Sequence, residues 1–201
     1  MITIVDYGMG NLRSVSKALE HLGAKVRISS RPGEIEDAEK IILPGVGAFG
    51  DAAEGLRSQS LLAPLRSHIT SGRPFLGICL GLQLLFESSE ETPGIKGISV
   101  LKGAVRRFRS KDVKVPHMGW NQVKIRNSHP ILTGIPENSY FYFVHSFYAV
   151  PEETAVIAAA CQYGSEEFTA IVGSNNVVAT QFHPEKSQRA GLQLLKNFVE
   201  W

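Results

Sequence analysis

Apolar and polar positions along the chain follow two periods in turn. Ile2-Thr3-Ile4-Val5 is a short, nearly unbroken apolar run, the pattern of a strand buried on both faces. After a loop at Asp6-Tyr7-Gly8-Met9-Gly10-Asn11, the residues Leu12, Val15, Leu19 and Leu22 fall at helical spacing, and Gly23 ends the helix. Residues 25–28 and 40–43 predict a second and a third strand, with Pro44-Gly45-Val46-Gly47 after the third. A helix is expected over 51–71, broken near Pro64, where the ring removes a donor. Strands alternating with helices predict a parallel sheet covered on both faces.

From 74 to 86 an apolar run begins as a buried strand, passes Gly77-x-Cys79-x-Gly81 and continues as a helix. Beyond about residue 90 the pattern shortens. Residues 97–101, 104–108, 121–125, 140–144, 155–161 and 168–172 read as antiparallel strands. Residues 176–182 return to a buried strand, and 186–201 close with an amphipathic helix. No repeat, low-complexity segment or linker interrupts the chain. The expectation is one α/β domain over 1–201, flavodoxin-like, mostly parallel, with antiparallel strands added in the second half.

Composition narrows the function classes. The 201 residues are 43% hydrophobic and 20% charged, a globular balance. A net charge of +2 is too near zero for a nucleic-acid binder. Two cysteines, Cys79 and Cys161, give no disulfide framework and fit a reducing cytosol. No signal peptide is read at the start, and the apolar run ending at Phe86 falls short of the ~20 residues of a membrane span. Gly8-Met9-Gly10 does not make a dinucleotide loop, because Arg13 stands where a third glycine belongs.

The candidate chemistry lies at the ends of the buried strands. Gly77-x-Cys79-x-Gly81 is a nucleophile elbow with cysteine in place of serine. The following helix would turn free N–H groups and its positive end toward the sulfur, and the Leu80 amide would face a developing oxyanion. A cysteine nucleophile needs a base, and the base an orienter. Gln181-Phe182-His183-Pro184-Glu185-Lys186 offers both: on a strand, residues two apart point the same way, so Glu185 can accept from the ring of His183. Gly45, Val46 and Gly47 would supply the second oxyanion donor. His, Glu and Cys are also metal-ligand types, but no Cys-x-x-Cys or His-x-x-x-His spacing accompanies them, so no metal or cofactor is expected.

Together, in this order, these motifs resemble the class-I (triad) glutamine amidotransferases over the whole chain. The resemblance implies that Cys79 attacks the side-chain amide of L-glutamine, His183 is the acid and base, and Glu185 orients it. It implies that Gln83, Ser146 and Phe147 hold the substrate. Phe147 stands where an aromatic with a hydroxyl is common.

Three strings, Asp6-Tyr7-Gly8-Met9-Gly10-Asn11, Pro116-His117-Met118-Gly119-Trp120-Asn121 and Tyr142-Phe143-Val144-His145-Ser146, are similar to those of glutaminase subunits of histidine biosynthesis. That likeness implies an obligatory (β/α)₈-barrel cyclase partner that receives the ammonia. Asn11, His117, Met118, Trp120, Asn121, Tyr142 and Lys186 are expected to face it, an aromatic anchor with a polar rim. The glutaminase of another synthase, such as that of pyridoxal phosphate, would share the triad but not the Pro116–Asn121 string. A stand-alone cysteine hydrolase would share the elbow but not the His183-Pro184-Glu185 tail.

Overall fold

The computed structural model describes all 201 residues, Met1–Trp201. The first half alternates as its apolar periods predict: β1 (Ile2–Val5), α1 (Leu12–His21), β2 (Val26–Ser29), a short α2 (Pro32–Glu36), β3 (Lys40–Gly45), α3 (Phe49–Ser58), α4 (Leu62–Thr70), β4 (Phe75–Cys79) and α5 (Leu80–Gln83). The second half adds β5 (Ser88–Ser89), β6 (Gly103–Arg107), β7 (His117–Ile125), β8 (Ser139–His145), β9 (Phe147–Pro151), β10 (Ile157–Tyr163), β11 (Glu166–Ser174), β12 (Val177–Thr180) and α6 (Gln188–Glu200).

Nine strands form one sheet in the order β2-β1-β3-β4-β12-β11-β10-β7-β8. The first five are parallel, and the remaining pairings are antiparallel. A small sheet, β5-β6-β9, lies apart from it. Side chains of the central strands alternate between two cores of 27 and 25 buried residues, so both faces are covered. Ile2, Ile4, Leu76 and Ile78 pack toward α1 and α6, while Phe75, Ile41 and Leu43 pack toward α3 and α4. Within α1 the buried Val15, Ala18 and Leu19 stand three and four apart, the spacing that lays one face on the sheet.

Several expectations are corrected. The helical break precedes Pro64 at Gln59–Leu61, and Pro64 sits in the first turn of α4, where a missing N–H costs nothing. The elbow helix is a single turn. The carbonyls of Leu84 and Leu85 bond to the amides of Ile98, Val100 and Leu101 rather than to a further helical turn. Those bonds also explain why 97–101 is no strand: its backbone is spent against the elbow segment. The last buried strand stops at Thr180, and a 3₁₀ turn, Pro184–Lys186, precedes α6. The pattern did not reveal α2 or β9.

Candidate active site

The elbow is a strained turn held in place by packing. Cys79 closes β4 with φ +55° and ψ −104°, a conformation that costs a non-glycine residue roughly 1–3 kcal/mol. Glycines on both sides let the chain close around it. A Cβ on Gly81 would lie 1.9 Å from the Leu43 carbonyl oxygen, and one on Gly77 would lie 2.8 Å from the Gly81 carbonyl. The result is a cysteine only 6% exposed, opening onto a cavity of about 290 Å³. Because α5 has four residues, it has no long summed dipole to turn toward the sulfur, which corrects the expectation from sequence.

His183 reaches the same edge because β12 runs parallel to β4, with Ala179 beside Gly77 and Thr180 beside Ile78. Its Nδ1 donates to Glu185 Oε1 at 3.0 Å, and the two side chains are 3% and 1% exposed. Glu185 gets there by the 3₁₀ turn, not by strand periodicity, so the expected contact forms by a different local geometry. Ser187 Oγ donates to the His183 carbonyl at 2.6 Å and braces the turn. His183 Nε2 is buried with no hydrogen-bond partner. Burial disfavours the imidazolium, yet the Cys79 sulfur and the Glu185 carboxylate outweigh it and raise the His183 pKa to about 10. A basic imidazole with one nitrogen pinned and the other free beside a thiol can take the thiol proton and return it to a leaving group.

The glycine loop and the expected substrate residues converge on the cavity. Gly45 pairs with Cys79 across β3 and β4. A Cβ there would lie 2.4 Å from the Tyr7 hydroxyl, which is buried without a partner. Val46, Gly47, Leu80, Gln83, Ser146 and Phe147 all line the cavity with Cys79. Gln83 Nε2 donates to the Phe147 carbonyl at 2.9 Å and to Gln181 Oε1 at 3.2 Å. The sequence reading missed Glu91 in this lining. Glu91 also accepts from the Phe49 amide at the start of α3, at 2.7 Å. An acidic residue in an irregular stretch carries no periodic signal.

Of the residues expected to face a partner, Met118, Trp120, Tyr142 and Lys186 share one rim. Met118 and Trp120 are 63% and 46% exposed on β7. Trp120 packs edge-on to Tyr142, with ring centres 6.0 Å apart, and Lys186 Nζ lies 5.9 Å over the Tyr142 ring. Asn121 is half-buried, bonding to the Gln162 carbonyl at 2.9 Å. Asn11 is the N-cap of α1, its Oδ1 accepting from the Ser14 amide at 3.2 Å. His117 lies on the same face of β7 as Asn121, away from that rim. It is 2% exposed and stacks on Tyr163 with centroids 3.9 Å apart, so it cannot be a surface contact. Strand alternation turns it inward while Met118 and Trp120 turn out. Cys161 is fully buried, and burial pushes its thiol up to about 12. No helix is long and apolar enough to cross a membrane.

Comparison with known proteins shows the family and the fold. The glutamine amidotransferase class-I family profile matches residues 3–201. The chain is 50% identical to the imidazole glycerol phosphate synthase subunit HisH of Syntrophotalea carbinolica, covering 98% of each chain. It is 50% identical to the Acinetobacter baylyi subunit of that name, covering 100% of this chain and 98% of the other. Among solved structures, PurLQS from Thermotoga maritima superposes with a TM-score of 0.79 at 23% identity, covering 99% of this chain and 97% of that one. A crystal structure of a glutamine amidotransferase gives 0.77 at 19% identity, covering 100% and 98%. At such identities these two likenesses speak for the fold.

Proposed function

We propose, because the chain belongs to the class-I glutamine amidotransferase family, that it is the glutaminase subunit of an imidazole glycerol phosphate synthase in histidine biosynthesis. The observation that carries the chemistry is the strained Cys79 at the cavity mouth beside the pinned His183–Glu185 pair.

The steps are as follows. His183 Nε2 takes the thiol proton, and Cys79 Sγ bonds to the amide carbon of L-glutamine. The oxyanion sits between the Leu80 amide and an amide of Gly45-Val46-Gly47, each such donor supplying roughly 3 kcal/mol. His183 returns the proton to nitrogen, and ammonia leaves the γ-glutamyl thioester. Water then gives its proton to His183, its oxygen bonds to carbon, the C–S bond breaks, and glutamate and the thiol are restored. Gln83 and the Ser146–Phe147 backbone hold the substrate, and the Glu91 carboxylate suits its ammonium group.

The partner is a (β/α)₈-barrel cyclase, docked on the rim of Met118, Trp120, Tyr142 and Lys186. Ammonia protonates in bulk water and then is no nucleophile, so a closed path to the barrel keeps it reactive. There it yields imidazole glycerol phosphate and aminoimidazole carboxamide ribonucleotide. Glycines on both sides of Val46 let the oxyanion loop reorient when the loaded barrel docks.

The test is glutamate release by the lone chain, by the complex, and by the complex with the cyclase's ribonucleotide. The rate should rise at each step and vanish in Cys79→Ser with binding retained. Turnover by Cys79→Ser equal to wild type would overturn the reading.

A further inference from the structure

One fully buried side chain outside the groups assigned above touches the nucleophile. Gln181 Nε2 donates toward Cys79 Sγ at 3.7 Å. Its direction follows from counting donors and acceptors around it. The Phe147 carbonyl only accepts, and it takes His145 Nδ1–H at 2.8 Å and Gln83 Nε2–H at 2.9 Å, one for each lone pair. His145 has that tautomer because its Nε2 faces His117 Nδ1 at 3.1 Å, and His117 Nε2 in turn takes Asn121 Nδ2–H at 3.3 Å. Burial keeps both imidazoles neutral, with pKa values depressed to about 4 for His117 and about 3 for His145. The second N–H of Gln83 goes to Gln181 Oε1 at 3.2 Å. That bond turns the Gln181 oxygen away from the sulfur and its NH₂ toward it.

We propose that Gln181 is a catalytic residue of this site, donating a hydrogen bond to the Cys79 sulfur that favours the thiolate and couples the nucleophile to Gln83 in the substrate pocket. A donor to an ionised acceptor is worth about twice a neutral bond, and the donor here is itself fully buried. The bond is strongest on the thiolate and weakens once the sulfur is acylated, so Gln181 serves proton removal rather than the oxyanion. The link to Gln83 rests on the glutaminase reading. The contact with the sulfur does not.

The test replaces Gln181 by Met, similar in length but without a donor, and by Glu, which sets a carboxylate against the thiolate. Iodoacetamide alkylation of the wild-type and variant chains is followed against pH, read by mass on the Cys79 peptide. Glutamine turnover is measured in the complete synthase. In Gln181→Met the alkylation midpoint should rise by about one to two pH units. kcat should fall roughly tenfold or more with KM little changed, and Gln181→Glu should move the midpoint further up. A midpoint unchanged in Met and Glu overturns the proposal, whatever happens to turnover. If the Met variant does not fold, Gln181→Asn, one methylene too short to reach the sulfur, gives the same reading. A wild-type complex that fails to split glutamine would defeat the glutaminase assignment while the alkylation midpoints still decide Gln181.

Discussion

Gly81 has no space for even one carbon, since its Cβ would fall 1.9 Å from the Leu43 carbonyl oxygen. The atoms it would meet first are those of the Leu43 backbone, which cannot yield as a side chain does, so Gly81→Ala should destabilise the fold by about 3 kcal/mol through overpacking. A thermal melt beside wild type checks this. An unchanged midpoint would mean that the elbow is looser than its packing. Charge at this edge gives a second expectation. Folding raises the His183 pKa to about 10, against an unfolded value of ~6.5. The folded state therefore holds this proton more tightly. Its contribution to stability is complete below about pH 6.5 and fades as pH climbs toward about 10. Glu185→Gln removes one of the two groups that raise the value. Urea unfolding from pH 7 to 10 should then show a shallower decline than wild type, while glutamine turnover falls roughly 10²- to 10⁴-fold.

Among the elements, legibility followed burial. β1, β3 and β4 were readable because both their faces are covered, so their runs are almost wholly apolar, Thr3 and the strand-opening Lys40 apart, and turn residues mark the ends. Cys79, His183 and Glu185 were readable because a nucleophile elbow and a histidine two residues from an acid are compositional signals. The pairing of Glu185 with His183 was expected for the wrong local reason, since tertiary packing ends β12 early and a 3₁₀ turn makes the contact instead. β9 escaped because its burial is mixed, it pairs only with β6, and it ends in Pro151. Gln181 escaped because a donor to sulfur is defined by neighbours far along the chain, Gln83 and Phe147, which no spacing reveals. Asn11, expected from sequence to meet a partner, also has a role within its own element. As the N-cap of α1 it should cost about 1 kcal/mol when changed to Ala and little when changed to Asp, which caps equally well. Unfolding of the isolated chain tests this. Equal losses in both variants would show that the cap is not what Asn11 contributes.

For the molecule as a whole, the exposed rim adjoins the buried site: the Tyr142 carbonyl accepts from the His183 amide, β7 carries Trp120 outward and His117 inward, and His117 begins the hydrogen-bonded line to Phe147 and Gln83. Nothing in the fold requires an indole on that outer face. Trp120 is 46% exposed and touches Tyr142 at its edge, so its removal leaves no cavity. Trp120→Ala should therefore shift the stability of the isolated chain by no more than about 0.5 kcal/mol. Under the proposed docking the same indole would be desolvated by the barrel beside Met118 and Lys186, which is the setting of an interface anchor. Its loss should cost about 2 kcal/mol or more of binding, roughly a thirtyfold weaker Kd. Calorimetric titration of the variant with the cyclase, set beside a melt of the free chain, separates the two effects. A chain that melts like wild type and binds like wild type would place the barrel on a different face, and the route for ammonia would have to be sought there.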